Sequence, residues 1–276
     1  MVAQPIAFFD SGVGGLPYLE AARRLLPGRR FIYLADRAGF PYGTKTPQAV
    51  QALAVQAVLA LATRFQPVAI VVACNTATEV AIDAMRAALP TVPIVGTVPA
   101  IKPAAAFSSV KRIAVVATQR AAEEPYLLRL AEQWAADCQL TRLGDGALVD
   151  FIERRLFTAS PEERLAAVRP AVEKPLAAGA DVLVLGCTHF LHMAADFLAA
   201  VPAGRHLRLV DSRQGVAQQV ARVVERATAE TGSGADAGSG ASAEPDLMFL
   251  TGPEPFEARY EDFARRFGLE PAGSLY

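Results

Sequence analysis

Apolar positions in this chain fall into short continuous runs, and the stretches between them carry apolar residues at helical spacing. The runs are IAFF (6–9), FIYL (31–34), VAIVVA (68–73), PIVG (93–96), RIAVVA (112–117), DVLVLG (181–186), LRLV (207–210) and LMFL (247–250). Unbroken aliphatic runs of this length predict strands covered on both faces, as in parallel sheets. The stretches 47–64, 76–88, 121–137, 161–178, 190–200, 212–228 and 255–267 read as amphipathic helices, the first opening on Pro47. Strand and helix alternate along nearly the whole chain, which predicts an α/β fold with mainly parallel sheets and helices packed on them. TGSGADAGSGASAE (231–244) breaks the pattern: it is small, polar and without period, and reads as a flexible surface insertion.

The pattern also repeats itself. VVACNTAT (71–78) and VLGCTHF (184–190) are each an apolar strand, then a cysteine, then a threonine within two positions. FFDSGVGG (8–15) and LVDSRQGVA (209–217) are each a strand ending in Asp-Ser. These echoes predict two similar, pseudo-symmetric α/β halves.

Composition narrows the function classes. A chain of 276 residues can bury a large core, and 52% hydrophobic against 20% charged residues excludes a disordered chain. A formal net charge of -1 with interspersed signs argues against a nucleic-acid surface or a polybasic membrane patch. Three cysteines, Cys74, Cys138 and Cys187, argue against a disulfide framework. The start, MVAQPIAFFD, lacks the features of a signal peptide, and runs such as VAIVVAC are too short to span a bilayer, so the expectation is a cytoplasmic protein with no membrane contact.

In open α/β sheets, ligands gather at the carboxyl ends of strands. Reactive residues stand at four such ends: Asp10-Ser11, Cys74-Asn75-Thr76, Thr118, and Cys187-Thr188-His189. Cys138, in AADCQL, reads as a small core hydrophobe. Cys74 and Cys187 each end an apolar strand and precede a predicted helix, whose N-terminus would lower a thiol pKa. Two thiols from similar halves suggest a symmetric proton shuttle, as racemisation needs: a base on one face of an α-carbon, an acid on the other, and exchangeable roles. Without an electron sink, the carbanionic transition state needs backbone N–H groups and the hydroxyls of Ser11, Thr76, Thr118 and Thr188, with Asn75 able to donate or accept.

Asp10 and His189 are the candidate assistants to the thiols, though Asp10 could equally cap a turn and His189 could be a structural histidine. His192 and His206 read as ordinary. DSGVGG (10–15) lacks the spacing of a phosphate loop. Pro41-Tyr42-Gly43 is either a plain turn or a segment closing over a small ligand. Neither cysteine nor histidine spacing forms a metal site.

Taken together, FFDSGVGGL (8–16), FPYGTKT (40–46), VVACNTAT (71–78), VGTVPAIKPAA (95–105), LGCTHF (185–190) and LVDS (209–212) resemble the glutamate racemases of the Asp/Glu racemase superfamily. DRAGFPYG, VPAIKPAA and ADCQLTRLG point to their proteobacterial branch. The resemblance implies an isomerase without pyridoxal phosphate, metal or other cofactor that converts L-glutamate to D-glutamate for peptidoglycan synthesis. It implies that Cys74 acts on D-glutamate and Cys187 on L-glutamate, with Asp10 and His189 assisting. It further implies substrate contacts at Asp10, Ser11, Tyr42, Gly43, Asn75, Thr76, Thr118, Thr188 and His189, with Asp36 and Glu153 supporting. The expected organisation is a first domain of residues 1–97 plus 208–276 and a second of 98–207, with the active site between them. The resemblance implies glutamate as substrate; it leaves open a muropeptide-precursor activator (UDP-N-acetylmuramoyl-L-alanine), as in the proteobacterial branch, and a homodimer, since family members are monomers or dimers.

Three departures stand out. The family usually has a second threonine three residues after the one at 118, then basic residues; here Ala121, Glu123 and Glu124 follow. The proline usual after Phe190 is absent, and Pro17 replaces a Ser or Thr. The stretch 119–124 keeps open a racemase of a related amino acid such as aspartate, and the link of some racemases of this family to gyrase inhibition keeps open a weakly active homologue with a regulatory binding role, for which gyrase is a candidate partner.

Overall fold

The structure, a computed structural model, describes residues 4–230, 244–253 and 255–276. The polar insertion read at 231–244 therefore lies outside the described residues, save Glu244. The chain divides into two compact units, one of residues 1–97 and 213–276, the other of residues 98–212.

The first unit runs β1 (Ile6–Asp10), α1 (Leu16–Leu25), β2 (Phe31–Ala35), α2 (Pro47–Phe65), β3 (Ala69–Val72), α3 (Asn75–Ala88) and β4 (Ile94–Gly96). The second contains α4 (Ile101–Phe107), β5 (Arg112–Ala117), α5 (Gln119–Glu123), α6 (Pro125–Trp134), β6 (Gln139–Gly144), α7 (Gly146–Arg155), α8 (Pro161–Ala177), β7 (Val182–Leu185), α9 (Ala194–Ala199) and β8 (Arg208–Val210). The chain then returns to the first unit with α10 (Arg213–Glu230), β9 (Leu247–Leu250), α11 (Ala258–Arg266) and β10 (Glu270–Ser274). The expected boundary at 207/208 is too early: β8 pairs with β7, so the second unit keeps it and ends at Ser212.

Both sheets are parallel. The first has the order β10-β9-β2-β1-β3-β4 and the second β6-β5-β7-β8. Take away β9 and β10 and the two orders are the same, with β1, β2, β3 and β4 matching β5, β6, β7 and β8. In each unit the chain leaves a central strand to one side and returns on the other, which opens a crevice at the carboxyl ends of that strand and its neighbour. The strands that form these crevices are buried, β1, β3 and β7 on all residues and β5 on all but Arg112 at its start. Each large apolar side chain fully buried there stabilises the unit by about 1.5–3 kcal/mol.

Local chemistry sets the helix starts. Thr46 accepts the Ala49 N–H at 3.3 Å and Pro47 fixes the first φ of α2. Ser160 and Glu163 form a reciprocal capping box that starts α8. By length and composition alone α2 could cross a membrane, but Gln48, Gln51, Gln56 and Arg64 interrupt its apolar residues. Its Val50, Ala54, Ala57, Val58 and Leu61 are spent on the core of the first unit. The single helix read over 121–137 is two helices. Pro125 forces Glu124 out of the helical region, to φ -64° and ψ 139°, and α6 starts anew at the proline. The helix read over 190–200 begins as a 3-10 segment at Thr188–Met193 and becomes α-helical only at Ala194.

Candidate active site

The ladder of the first sheet runs one step past its strands. Ala73 N–H bonds to Phe9 C=O at 2.8 Å, and Asp36 N–H to Asp10 C=O at 2.9 Å. This fixes Cys74 and Asp10-Ser11 side by side at the crevice. Ser11 donates its backbone N–H to Asp10 Oδ1 at 2.6 Å and its hydroxyl to the same oxygen at 3.2 Å. Cys74 Sγ lies 3.8 Å from Ser11 Oγ. All three are buried, Asp10 completely and Cys74 at 4% exposure.

Cys74 is the N-cap residue of α3, with Asn75 and Thr76 buried in the first helical turn. The helix terminus does act on the sulfur, yet the expected lowering of its pKa is overturned. Burial first, and then the Asp10 carboxylate, push the thiol well above its ordinary range, and the N–H groups of Ala77 and Ser11 do not offset them. Desolvation and a facing anion both disfavour thiolate, so Cys74 rests as a thiol.

The glycine-rich turn after Asp10 serves packing. A Cβ on Gly15 would stand 2.7 Å from the Ala73 Cβ, so glycine alone allows this turn to close on the strand that ends at Cys74. Tyr33, which sequence reasoning did not single out, ties the turn down: its hydroxyl donates to Gly12 C=O at 2.8 Å and accepts Gly15 N–H at 3.1 Å. A polar tip in an otherwise apolar strand was its signal.

Asp36 and Tyr42 also belong to this end of the sheet. Tyr42 donates its hydroxyl to Asp36 Oδ2 at 2.6 Å, and burial followed by the Asp36 charge raises its pKa. The tyrosine hydroxyl is thus committed internally, and what this segment offers a ligand is backbone N–H groups near Tyr42 and Gly43, in the short 3-10 turn Tyr42–Thr44.

In the second unit, Gly186 N–H bonds to Val116 C=O at 2.7 Å and Asp145 N–H to Ala117 C=O at 2.9 Å. Strand register then equates Phe9 with Val116, and hence Cys74 with Cys187, Ser11 with Thr118, and Asp36 with Asp145. Asp36 and Asp145 both cap the turn or helix that follows them. The cysteine echo seen in the sequence is therefore a true structural correspondence. The Asp-Ser echo is not: the first pair straddles the end of β1 and the second follows β8, which matches β4.

Cys187, 5% exposed, precedes the 3-10 segment Thr188–Met193, so it lacks the α-helix N-terminus expected from sequence. A different partner stands there. Cys187 Sγ is 3.9 Å from His189 Nδ1, and His189 Nε2 is 2.9 Å from Glu153 Oε2. Glu153 comes from α7, which packs against that segment, and all three side chains are buried. Burial opposes charge on the imidazole, but its bonds and charge interactions with Cys187 and Glu153 outweigh it and raise the His189 pKa well above the ordinary value. Thr188 is buried in the same turn.

Thr118 accepts the Ala121 N–H at 3.2 Å and so caps α5. The reversed charge expected at 119–124 is compensated locally: Arg120 pairs with Glu124 at 3.1 Å, and Gln119 donates to Glu123. Cys138, read as a core residue, is only half-buried; it packs against the core of the second unit, with Sγ 3.5 Å from Asp137 Oδ1. Among the described residues no three His, Cys, Asp or Glu side chains gather as a metal-ligand set.

The expected site residues thus fall into two groups: Asp10, Ser11, Asp36, Tyr42, Gly43, Cys74, Asn75 and Thr76 in the first unit, and Thr118, Glu153, Cys187, Thr188 and His189 in the second.

Comparison with known proteins matches residues 18–229 to the family described as Asp/Glu/Hydantoin racemase. A glutamate racemase of Treponema pallidum (strain Nichols) is 38% identical over 98% of this chain and 96% of that protein. The Escherichia coli glutamate racemase, solved in complex with L-glutamate and the activator UDP-MurNAc-ala, is 32% identical with a TM-score of 0.83, covering 99% of this chain and 98% of that one. A Thermus thermophilus glutamate racemase, solved with β-chloro-D-alanine, is 30% identical with a TM-score of 0.68, covering 97% and 95%.

Proposed function

This chain belongs to the Asp/Glu racemase family, and from that premise we propose that it interconverts L- and D-glutamate through Cys74 and Cys187. The observation that carries the reading is the register equivalence of the two thiols. Each ends the same strand of a repeated sheet, and each has its own acid/base partner, Asp10 for one and His189 for the other.

The chemistry asks little beyond the chain's own side chains. To act on D-glutamate, Cys74 passes its proton to Asp10 and, as thiolate, takes the α-hydrogen. The thiol of Cys187 delivers a proton to the opposite face, and His189 restores it. Starting from L-glutamate, the roles exchange: with its proton resident on the His189 imidazolium, Cys187 takes the α-hydrogen, and the Cys74 thiol donates. The mechanism requires one sulfur on each face of a single α-carbon. Backbone N–H groups at the start of α3 and in the Tyr42–Thr44 turn, with the hydroxyls of Ser11, Thr76, Thr118 and Thr188, serve the substrate carboxylates and the developing carbanion. Glu153 keeps His189 charged and oriented.

The E. coli relative supports glutamate as substrate and a muropeptide precursor as activator here too. The product would then supply peptidoglycan synthesis in the cytoplasm. The test is deuterium wash-in at the α-carbon of L- and D-glutamate in D₂O, with aspartate as control, with and without UDP-N-acetylmuramoyl-L-alanine. Exchange of both glutamate enantiomers is expected. Absence of exchange under every condition refutes the reading, and exchange of aspartate in preference to glutamate reassigns the substrate.

A further inference from the structure

Thr251 follows β9, one residue past its end, and is fully buried. Its hydroxyl joins two segments distant in sequence. Thr251 Oγ1 accepts the Ala38 N–H at 3.1 Å and donates to Asp36 Oδ1. Asp36 in turn accepts Gly39 N–H at 3.1 Å on Oδ1 and the Tyr42 hydroxyl at 2.6 Å on Oδ2. Arg37 crosses in the other direction. Its Nε donates to Thr251 C=O at 3.1 Å, its Nη1 to Pro255 C=O at 2.8 Å, and its Nη2 to Pro253 C=O. Gly252, at φ +83°, is where the two segments come closest: a Cβ there would stand 3.1 Å from the Ala38 Cβ.

These bonds give the segment around Tyr42 and Gly43 its support. Its own backbone supplies little: Gly39 and Phe40 N–H bond back to Asp36 and Arg37, and Lys45 N–H to Tyr42. The buried anchor is the Asp36 carboxylate, and one of its two oxygens is held by Thr251. A valine in place of Thr251 keeps the shape but withdraws one donor and one acceptor, leaving Ala38 N–H and Asp36 Oδ1 each short of a buried partner.

We propose that Thr251 is a positioning residue for the substrate: through Asp36 it fixes the Tyr42–Gly43 backbone that binds a glutamate carboxylate, an inference that rests on the reading of these residues in the proposed function. Because the contact is made to the substrate at rest and in the transition state alike, its loss weakens binding more than turnover.

The experiment compares Thr251→Val and Thr251→Ser with the unmodified chain, measuring KM and kcat for both enantiomers, glutamate binding by calorimetry, and Tm. Thr251→Val is expected to raise KM and the dissociation constant about fivefold, the equivalent of one lost hydrogen bond, with kcat little changed. Thr251→Ser is expected to restore both. In a double-mutant cycle with Tyr42→Phe, the two effects on KM are expected to be less than multiplicative, since both act through Asp36. Should Thr251→Val not fold, Arg37→Gln loosens the same junction from the other side and is expected to raise KM with kcat retained. A folded Thr251→Val with unchanged KM and binding overturns the inference, as does unchanged KM in Arg37→Gln where valine does not fold. Loss of kcat at constant KM, or fully multiplicative effects in the cycle, does the same. Each of these leaves the racemase reading standing. An unmodified chain that neither binds nor exchanges glutamate overturns both.

Discussion

Cys74 and Cys187 hold the same place in two sheets of the same strand order, but their neighbours carry opposite charge. Beside Cys74 stands the Asp10 carboxylate, and with burial it keeps the proton on sulfur. Beside Cys187 stands His189, whose bonds to Cys187 and Glu153 favour its cationic form. The repeated backbone delivers a thiol to each unit; the side chains around it, which the repeat does not copy, decide whether it faces a carboxylate or an imidazole. For an enzyme running one reaction in both directions this is a sensible division: one sulfur faces a carboxylate that can take a proton, the other an imidazole that can give one back. The two thiols are equivalent in position and unlike in preparation.

The strongest way to break that comparison is to remove each thiol in turn. Cys74→Ala and Cys187→Ala are each expected to lower racemisation by about 10³-fold or more. Each should still eliminate HX from a β-substituted analogue of one enantiomer only, and the two mutants should choose opposite enantiomers. Normal racemisation by both mutants would end the two-thiol mechanism.

Removing the partners comes next. His189→Asn is expected to lower turnover by about 10²-fold. It should act mainly on the direction in which Cys187 takes the hydrogen, and progress curves from each pure enantiomer check this. Glu153→Gln leaves the imidazole in place but withdraws its counter-charge. The His189 pKa then falls, and the limb of the pH–rate profile that it governs moves to lower pH.

A smaller effect appears in stability against pH. The folded-state pKa of His189 is raised, so the folded chain binds the proton more tightly than the unfolded one. That contribution is complete below the unfolded value of about 6.5 and is lost as pH rises towards the folded value. The raised Cys74 pKa adds a loss of the same sign above about 8.5, where the unfolded thiol ionises first. Denaturant midpoints should therefore fall as pH rises through this window, and His189→Asn should flatten the part that begins near neutrality. The smallest change belongs to the third thiol. Cys138→Ser, at a half-buried position, is expected to leave activity intact and stability within about 0.5 kcal/mol.

The sequence made the central strands legible because they are apolar on both faces, and the candidate site residues stood out because polar groups sit where such strands stop. The edges were harder to read. Gln139–Gly144 has a neighbour on one side only, is mostly half-exposed, and lacks an apolar run. Glu270–Ser274 carries Pro271 and Gly273, which an edge strand tolerates and a central one would not. Thr251 was available by the rule that picked Thr118, since it ends LMFL as Thr118 ends RIAVVA, yet its role depends on Asp36, more than two hundred positions earlier. The Cys74 pKa went astray for the same reason. A helix start is visible in adjacent residues, whereas the burial and the Asp10 charge that outweigh it come from another strand. Glu153 was found through family resemblance alone, because nothing next to it in ERRLF announces a histidine 36 residues away.

The late return of the chain to its first sheet has a consequence for synthesis. Phe31–Ala35 is an interior strand only because Leu247–Leu250 pairs along one side of it. On the ribosome that side stays open while everything between the two strands, about 210 residues including the entire second unit, is translated, for roughly 10–40 s at ~5–20 residues per second. In that interval the nascent protein carries an apolar strand edge of the kind that invites pairing with other chains, so a trigger-type chaperone or a slowed elongation rate would change the yield of folded protein far more than its final stability.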